Sequence, residues 1–190
     1  QVIKHVDGDY DPPTDGIPDN HCYPMWYNGH GIDIGRLHRG YWLPVKPGWY
    51  YGCGEYGAEG LDSAEVMEEC YPREWLREPF DPGHIVRSQT KSFSGFFYDA
   101  QEDMQGWISR SQRYQAFAAR MMTEAFRRDG RMVSFAIHLF IDAFPSGWMK
   151  TIVDVDRGPK PAYFAYRNAL APLMTSLRTD RWTFFPGERV

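Results

Sequence analysis

The sequence predicts an α/β fold with parallel β/α packing, and three observations carry that expectation. Strand-like and helix-like stretches alternate along the 190-residue chain, a pattern that favours a parallel sheet. Residues 132–140 (MVSFAIHLF) are nearly continuous apolar sequence, as a strand buried on both faces requires. A carboxylate, Glu55, follows directly on an aromatic strand and sits among glycines. At 22.1 kDa the chain is long enough for one domain with a real core.

The elements follow in order. Residues 2–6 read as a short buried strand running into an acidic, Pro-rich loop over residues 7–18. Asp7, Asp9 and Asp11 alternate in that loop. A calcium-binding EF-hand loop needs Gly at its sixth position and Glu at its twelfth, where this chain has Pro12 and Pro18. A solvated loop with a rigid Pro-Pro turn is the simpler reading. Residues 21–27 (HCYPMWY) suit a strand end, and a Gly-rich loop follows over residues 28–48. Residues 49–53 (WYYGC) predict another short strand, stopped by Gly54 and Glu55.

Ser63 caps a predicted helix with Glu65 and Glu68 in its first turns, where acidic groups favour the helix dipole. That helix runs to about Leu76, and Pro79 and Pro82 follow it. Residues 80–90 read as loop. The longest helical pattern spans residues 101–128, with Tyr114, Phe117, Met121, Ala125 and Phe126 as its apolar stripe and Gly130 just past its end. After the 132–140 strand, a last helix covers residues 161–170, with Pro161 at its start and Pro172 beyond it.

Composition narrows the function classes. Aromatic residues make up 16% of the chain, and such rings serve both cores and the stacking floors of sugar sites. Net charge is −4 with the signs mixed and no basic stripe, so a nucleic-acid partner is not expected. No run of about 18 apolar residues exists, so no membrane-spanning helix is expected. Cys22, Cys53 and Cys70 are odd in number and lack C-x-x-C spacing, which argues against a zinc site or a disulfide framework and leaves a single disulfide open. His5, His21, His30 and His38 show neither H-E-x-x-H nor H-x-x-E-H spacing, and no phosphate loop or G-x-S-x-G elbow is present. No metal and no cofactor is therefore expected. The chain starts at Gln1 on an apolar run without a signal peptide, and we read it as a piece of a longer polypeptide. Its compartment is not legible.

The informative segment is Gly52-Cys53-Gly54-Glu55-Tyr56-Gly57-Ala58-Glu59-Gly60. In a parallel β/α barrel the C-terminal strand ends carry the active site, and glycines there allow close approach of substrate or backbone. On spacing alone, a carboxylate poised at a barrel mouth and a solvated surface turn stand level. Glu59 is the weaker candidate, placed to support the turn or start the next helix.

This segment resembles the nucleophile motif of glycoside hydrolase family 2, the family of β-galactosidases, β-glucuronidases and β-mannosidases, which lies at the end of the seventh barrel strand. Residues 21–27 resemble the sixth-strand motif, and aligning Trp26-Tyr27 with the family's Trp-Tyr puts the tyrosine that hydrogen-bonds the nucleophile at Tyr23. Residues 138–146 (HLFIDAFPS) resemble the eighth-strand motif, and residues 154–163 (DVDRGPKPAY) resemble the run opening the last barrel helix.

The resemblance implies the C-terminal portion of a (β/α)8 TIM barrel over residues 1–175, with residues 176–190 as a linker and first strand of a following β-sandwich domain. It implies a retaining glycosidase acting on a terminal β-linked sugar, with Glu55 as nucleophile and Tyr23 orienting it. His21, Trp26, Tyr27, His138 and Asp142 would bind substrate, and no cofactor would be needed. The partners would be a carbohydrate and the remainder of the parent polypeptide, meaning the N-terminal barrel strands and β-sandwich domains.

Two departures stand out. His138 occupies the position where the family's eighth strand offers a Trp, so it either contacts substrate or is a satisfied buried histidine. The family's acid/base Glu follows an Asn, and no Asn-Glu pair occurs here. The acid/base is expected outside this chain, and the isolated chain is expected to be inactive. The alternative is a non-catalytic carbohydrate-binding or scaffolding module with a degenerate glycosidase barrel.

Overall fold

The stretch YGCGEY forms strand β1 (Tyr51–Tyr56) in the computed structural model, which describes residues 4, 8, 10, 16–23, 48–77, 103–143, 150–179 and 184–189. β1 pairs in parallel with β2 (Met132–Ile137), with Tyr51 opposite Met132 and Tyr56 opposite Ile137. On the other edge of β1, Asp19 and Cys22 form parallel bridges to Gly52 and Tyr56. Beyond β2, Ile141 bridges Val153 in parallel. A parallel connection needs a long crossover, and three helices serve this layout: α1 (Ala64–Cys70), α2 (Met104–Arg128) and α3 (Pro161–Ala169). The coarse expectation of an α/β chain with parallel pairing therefore holds.

Several boundaries differ, each for a physical reason. The strand expected at residues 49–53 lies at Tyr51–Tyr56, so Glu55 is part of the strand rather than its stop. Pairing decides this: Cys22 N–H donates to Glu55 O at 2.8 Å and His138 N–H to Tyr56 O at 2.8 Å, which carries the ladder past two residues of low strand propensity. The helix expected to reach about Leu76 stops at Cys70. Pro72 restricts Tyr71 to an extended backbone, and a single turn, Arg73–Trp75, follows.

β2 ends at Ile137 rather than residue 140, and it is half-buried rather than enclosed on both faces. Met132, Phe135 and Ile137 pack on the cluster of Cys22, Cys53, Tyr56, Met122 and Phe126, while Ala136 is exposed. The strand expected at residues 2–6 (apart from Lys4) and the loops at 28–47 and 80–90 lie outside the described residues. Among the described residues no helix is long and apolar enough to cross a membrane.

α2 is capped by Asp103, whose carboxylate accepts from Gly106 N–H at 2.6 Å, and Arg127 and Arg128 in its last turn suit the dipole. Of the predicted stripe, Ala125 and Phe126 are buried and Tyr114 and Met121 pack against a buried cluster, while Phe117 departs from it. Phe117 is exposed, and the face turned inward runs through Trp107, Ser111, Gln115, Ala118, Ala119 and Met122. The alanines let the helix close on its neighbours, and the polar members serve the loop after β1. Leu61 N–H donates to Ser111 Oγ at 3.1 Å, Gln112 Nε2 to Leu61 O at 2.8 Å, and Gln115 Nε2 to Ala58 O at 3.0 Å. Buried backbone groups need partners, and these side chains supply them.

Asp129, just past α2, ties the starts of both strands together. Its Oδ2 accepts from Tyr51 Oη and Arg131 Nη2, each at 2.8 Å, and its Oδ1 accepts from Arg131 N–H at 3.0 Å. Burial pushes this carboxyl up, but the Arg131 and Tyr51 hydrogen bonds outweigh burial and hold it down at about 2. The folded value is below the unfolded one, so the resulting stability is present above about pH 4 and is lost as pH falls toward 2. Asp129→Asn is expected to cost about 2 kcal/mol at pH 7 in urea unfolding. An unchanged midpoint would overturn the assignment.

Candidate active site

Glu55 stands near the C-terminal end of β1, and its backbone carbonyl is held by Cys22 N–H. That hydrogen bond brings residues 21–23 alongside. Tyr23, with 2% of its surface exposed, donates its hydroxyl to Glu55 Oε2. His21 Nδ1 lies 3.4 Å from the same oxygen, and His138 Nε2 lies 3.8 Å from Oε1. Both imidazoles meet the Tyr23 ring edge-on, with centroids 6.3 Å (His21) and 6.1 Å (His138) away.

Gly57 makes the approach of His138 possible. A Cβ at Gly57 would stand 2.6 Å from His138 O, so any side chain there displaces the segment carrying the second imidazole. The Glu55 side chain keeps 36% of its surface exposed, so one side of the carboxylate faces out of the protein.

Two buried charges lie behind this front. Lys150 is 2% exposed, with its Nζ 5.2 Å from the Tyr23 ring centroid, and Glu59 is 3% exposed. Burial lowers the Lys150 ammonium to about 8, against the upward pull of Glu59 and Glu55. Burial also lowers His138, with Lys150 and His21 acting the same way and Glu55 opposing them. A neutral imidazole presents one donor and one acceptor, which suits hydroxyl recognition.

Of the residues singled out from sequence, Glu55, Tyr23, His21 and His138 come together. Asp142 joins a different cluster. It is nearly buried and accepts from Thr151 Oγ1 at 2.9 Å. Burial raises its carboxyl, and Asp62 and Asp154 add to the rise while Thr151 and Lys160 oppose it. Beside it, Lys160 Nζ pairs with Asp62 Oδ1 at 2.8 Å and donates to Gly60 O at 2.9 Å, and Tyr71 Oη donates to Asp62 Oδ2 at 3.0 Å. Trp26 and Tyr27 lie outside the described residues.

The open question of a disulfide is answered by three free thiols: Cys22 and Cys53 are buried, Cys70 half-buried. Burial pushes the Cys22 thiol up to about 12, far from a reactive thiolate. Among the described residues, no group of three or more His, Cys, Asp or Glu is arranged to hold a metal ion.

Sequence reasoning missed Lys150 and Gln115. The signal for Lys150 was a lone cation opening the strand-like stretch Lys150-Thr151-Ile152-Val153, and for Gln115 a polar residue in register with Trp107, Ala118 and Met122.

No family model matches the sequence, and no curated protein matches it. Solved structures do. Over 86% of its length the chain matches a β-D-mannosidase from Dictyoglomus thermophilum, with a TM-score of 0.56 and 21% identity. It also matches a GH2 β-galacturonidase from Eisenbergiella tayi over 88% of its length (TM-score 0.43, 18% identity). A third match is a β-glucuronidase from Bifidobacterium dentium, over 83% (TM-score 0.46, 16% identity). The first likeness shows a shared fold. The chain spans only 20%, 25% and 21% of those three proteins.

Proposed function

We propose that this chain supplies the nucleophile half of a retaining glycosidase site and that residues 1–175 form the C-terminal portion of a family 2-like (β/α)8 barrel. Residues 176–190 would lead into a β-sandwich domain. The observation that carries this reading is the setting of Glu55: a strand-end carboxylate, partly open, gripped by a buried tyrosine hydroxyl and flanked by one imidazole at each oxygen. Such a carboxylate is held in one orientation by the hydroxyl that donates to it. The likeness to a β-mannosidase fold and the order of the sequence motifs support the same reading.

Retaining hydrolysis needs two carboxyls about 5–5.5 Å apart. Glu55 attacks the anomeric carbon and forms a glycosyl-enzyme while an acid/base from outside this chain protonates the departing oxygen. Water, deprotonated by that same group, then releases the sugar. His21 and His138 flank the place where the sugar hydroxyls next to the anomeric carbon must lie, and Trp26 and Tyr27 are assigned to the sugar wall. Asp142 accepts from Thr151 through one oxygen, and its other oxygen is the one assigned to a sugar hydroxyl.

The test uses the polypeptide that carries this chain, a panel of 2-deoxy-2-fluoro glycosides and peptide mass spectrometry. The fluorine slows both steps, and a good leaving group lets the adduct accumulate. A sugar adduct on the Glu55 peptide is the expected result, and the panel member that reacts names the sugar. A folded protein that takes no adduct and turns over no glycoside would replace this reading with a non-catalytic carbohydrate-binding module.

A further inference from the structure

The end of β1 and the segment that follows β2 meet in a closed circuit of hydrogen bonds, and one side chain of α2 completes it. His138 N–H donates at 2.8 Å to the carbonyl of Tyr56, the residue after Glu55. Leu139 N–H donates to Lys150 O at 3.3 Å and Ile152 N–H to Leu139 O at 3.1 Å, so residues 150–152 lie along the chain just past His138. Gln115 Nε2 donates to Ala58 O at 3.0 Å, to Lys150 O at 3.2 Å and to Thr151 O at 3.0 Å. The circuit runs from Tyr56 through His138, Leu139, Lys150 and Gln115 to Ala58, and Gly57 closes it.

The three carbonyls fix which way this amide points. Gln115 is 1% exposed, and among the described residues its Oε1 meets no hydrogen-bond donor. A buried acceptor left without a donor is unfavourable, but the amide turned the other way would set that oxygen against the carbonyls and lose their bonds as well. Gly60 bounds the other side. A Cβ there would stand 2.5 Å from Oε1, and the Gly60 backbone lies outside the left-handed region, so a side chain would meet the amide and no backbone strain.

We propose that Gln115 is a positioning residue of the Glu55 site: by bridging Ala58 to Lys150 and Thr151, it sets the spacing between the Glu55 carboxylate and the His138 imidazole. This rests on the glycosidase reading. His138 Nε2 stands 3.8 Å from Glu55 Oε1, longer than a hydrogen bond, so the backbone carrying each group sets their separation. A sugar held by both groups needs that separation kept, and a misplacement of about 1 Å within a site costs on the order of 10²-fold in rate.

The experiment measures kcat and KM on an aryl glycoside for the wild type, Gln115→Met, His138→Ala and the double variant, in the polypeptide that carries this chain. Methionine keeps the length and the helix propensity and removes the donors. Gln115→Met is expected to lower kcat by about tenfold to hundredfold with KM within about threefold, because the groups are present but misplaced. In the His138→Ala background the same change is expected to lower kcat by less than about threefold, since the spacing it sets is no longer used. A glutamine that only supports the fold lowers activity by the same factor in both backgrounds, and that result overturns the proposal.

Amide hydrogen exchange supplies a readout without turnover. In Gln115→Met the amides of His138 and Leu139, which belong to the circuit, are expected to quicken at least about tenfold more than that of Tyr51 at the far end of β1. Exchange that quickens equally at all three, or at none, overturns the proposal. If Gln115→Met does not fold, Gly60→Ala takes its place: its methyl displaces the amide, the same local quickening and fall in kcat are expected, and unchanged values overturn the proposal. A wild type that hydrolyses nothing removes the glycosidase reading, while the exchange rates still decide whether Gln115 braces the two segments.

Discussion

Glu55→Gly is expected to lower kcat/KM by on the order of 10⁴–10⁶-fold and to regain turnover when azide is added. The substrate for this measurement is an aryl glycoside whose phenolate leaves without protonation, so the acid/base outside this chain does not enter. Glycine removes the carboxylate and leaves a space beside the anomeric carbon, at a position where Glu55 is already partly open to the exterior. Azide entering that space attacks the anomeric carbon, expels the phenolate and stays bonded to the sugar. The product is a glycosyl azide of the opposite anomeric configuration to the substrate, because one displacement replaces two. Tyr23, His21 and His138 remain to hold the small anion where the carboxylate was. Retained turnover in the variant, or a variant that azide leaves dead while the protein is folded, would move the nucleophile elsewhere.

Lys160→Met is expected to destabilise the fold by about 3–5 kcal/mol, because it leaves Asp62 charged and buried without its partner. Both side chains of the pair are 2% exposed, and Nζ also satisfies Gly60 O in the loop that follows Glu55. Tyr71 still donates to Asp62, but one neutral donor does not replace a cation. The decisive comparison is the double variant Lys160→Met with Asp62→Leu. Removing both charges removes the desolvation penalty with the attraction, so the pair replaced together is expected to cost far less than the sum of the two single changes. Additive losses in urea unfolding would show that the pair is not coupled. Lys160→Met is also expected to weaken the site, since Gly60 O loses its donor and the loop its anchor.

What sequence alone determined here is local. Pro161 opens α3 where predicted and the apolar run places β2, because proline geometry and hydrophobic runs act over a few neighbouring residues. Tyr23 was legible through its spacing from Trp26-Tyr27 in a motif, and the structure brings it to Glu55 across a separation in sequence.

Tertiary structure decided the rest. Glu55 became part of β1 because residues 19–23 and His138 pair with that strand from outside its own sequence window. Gln115 turned inward because it meets the backbone carbonyls of Ala58, Lys150 and Thr151 amid the apolar clusters of that face, while Phe117 stayed exposed. Asp142, grouped with the site by its place in a strand motif, accepts instead from the Thr151 hydroxyl, a contact that only the folding of the following segment supplies. Lys150 drew no notice as a single charged residue in a mixed-charge chain, and Glu59 was read only as a support for the turn or the start of the next helix. Only the tertiary structure buries them both, since contacts between segments far apart in sequence decide which charged residues are covered.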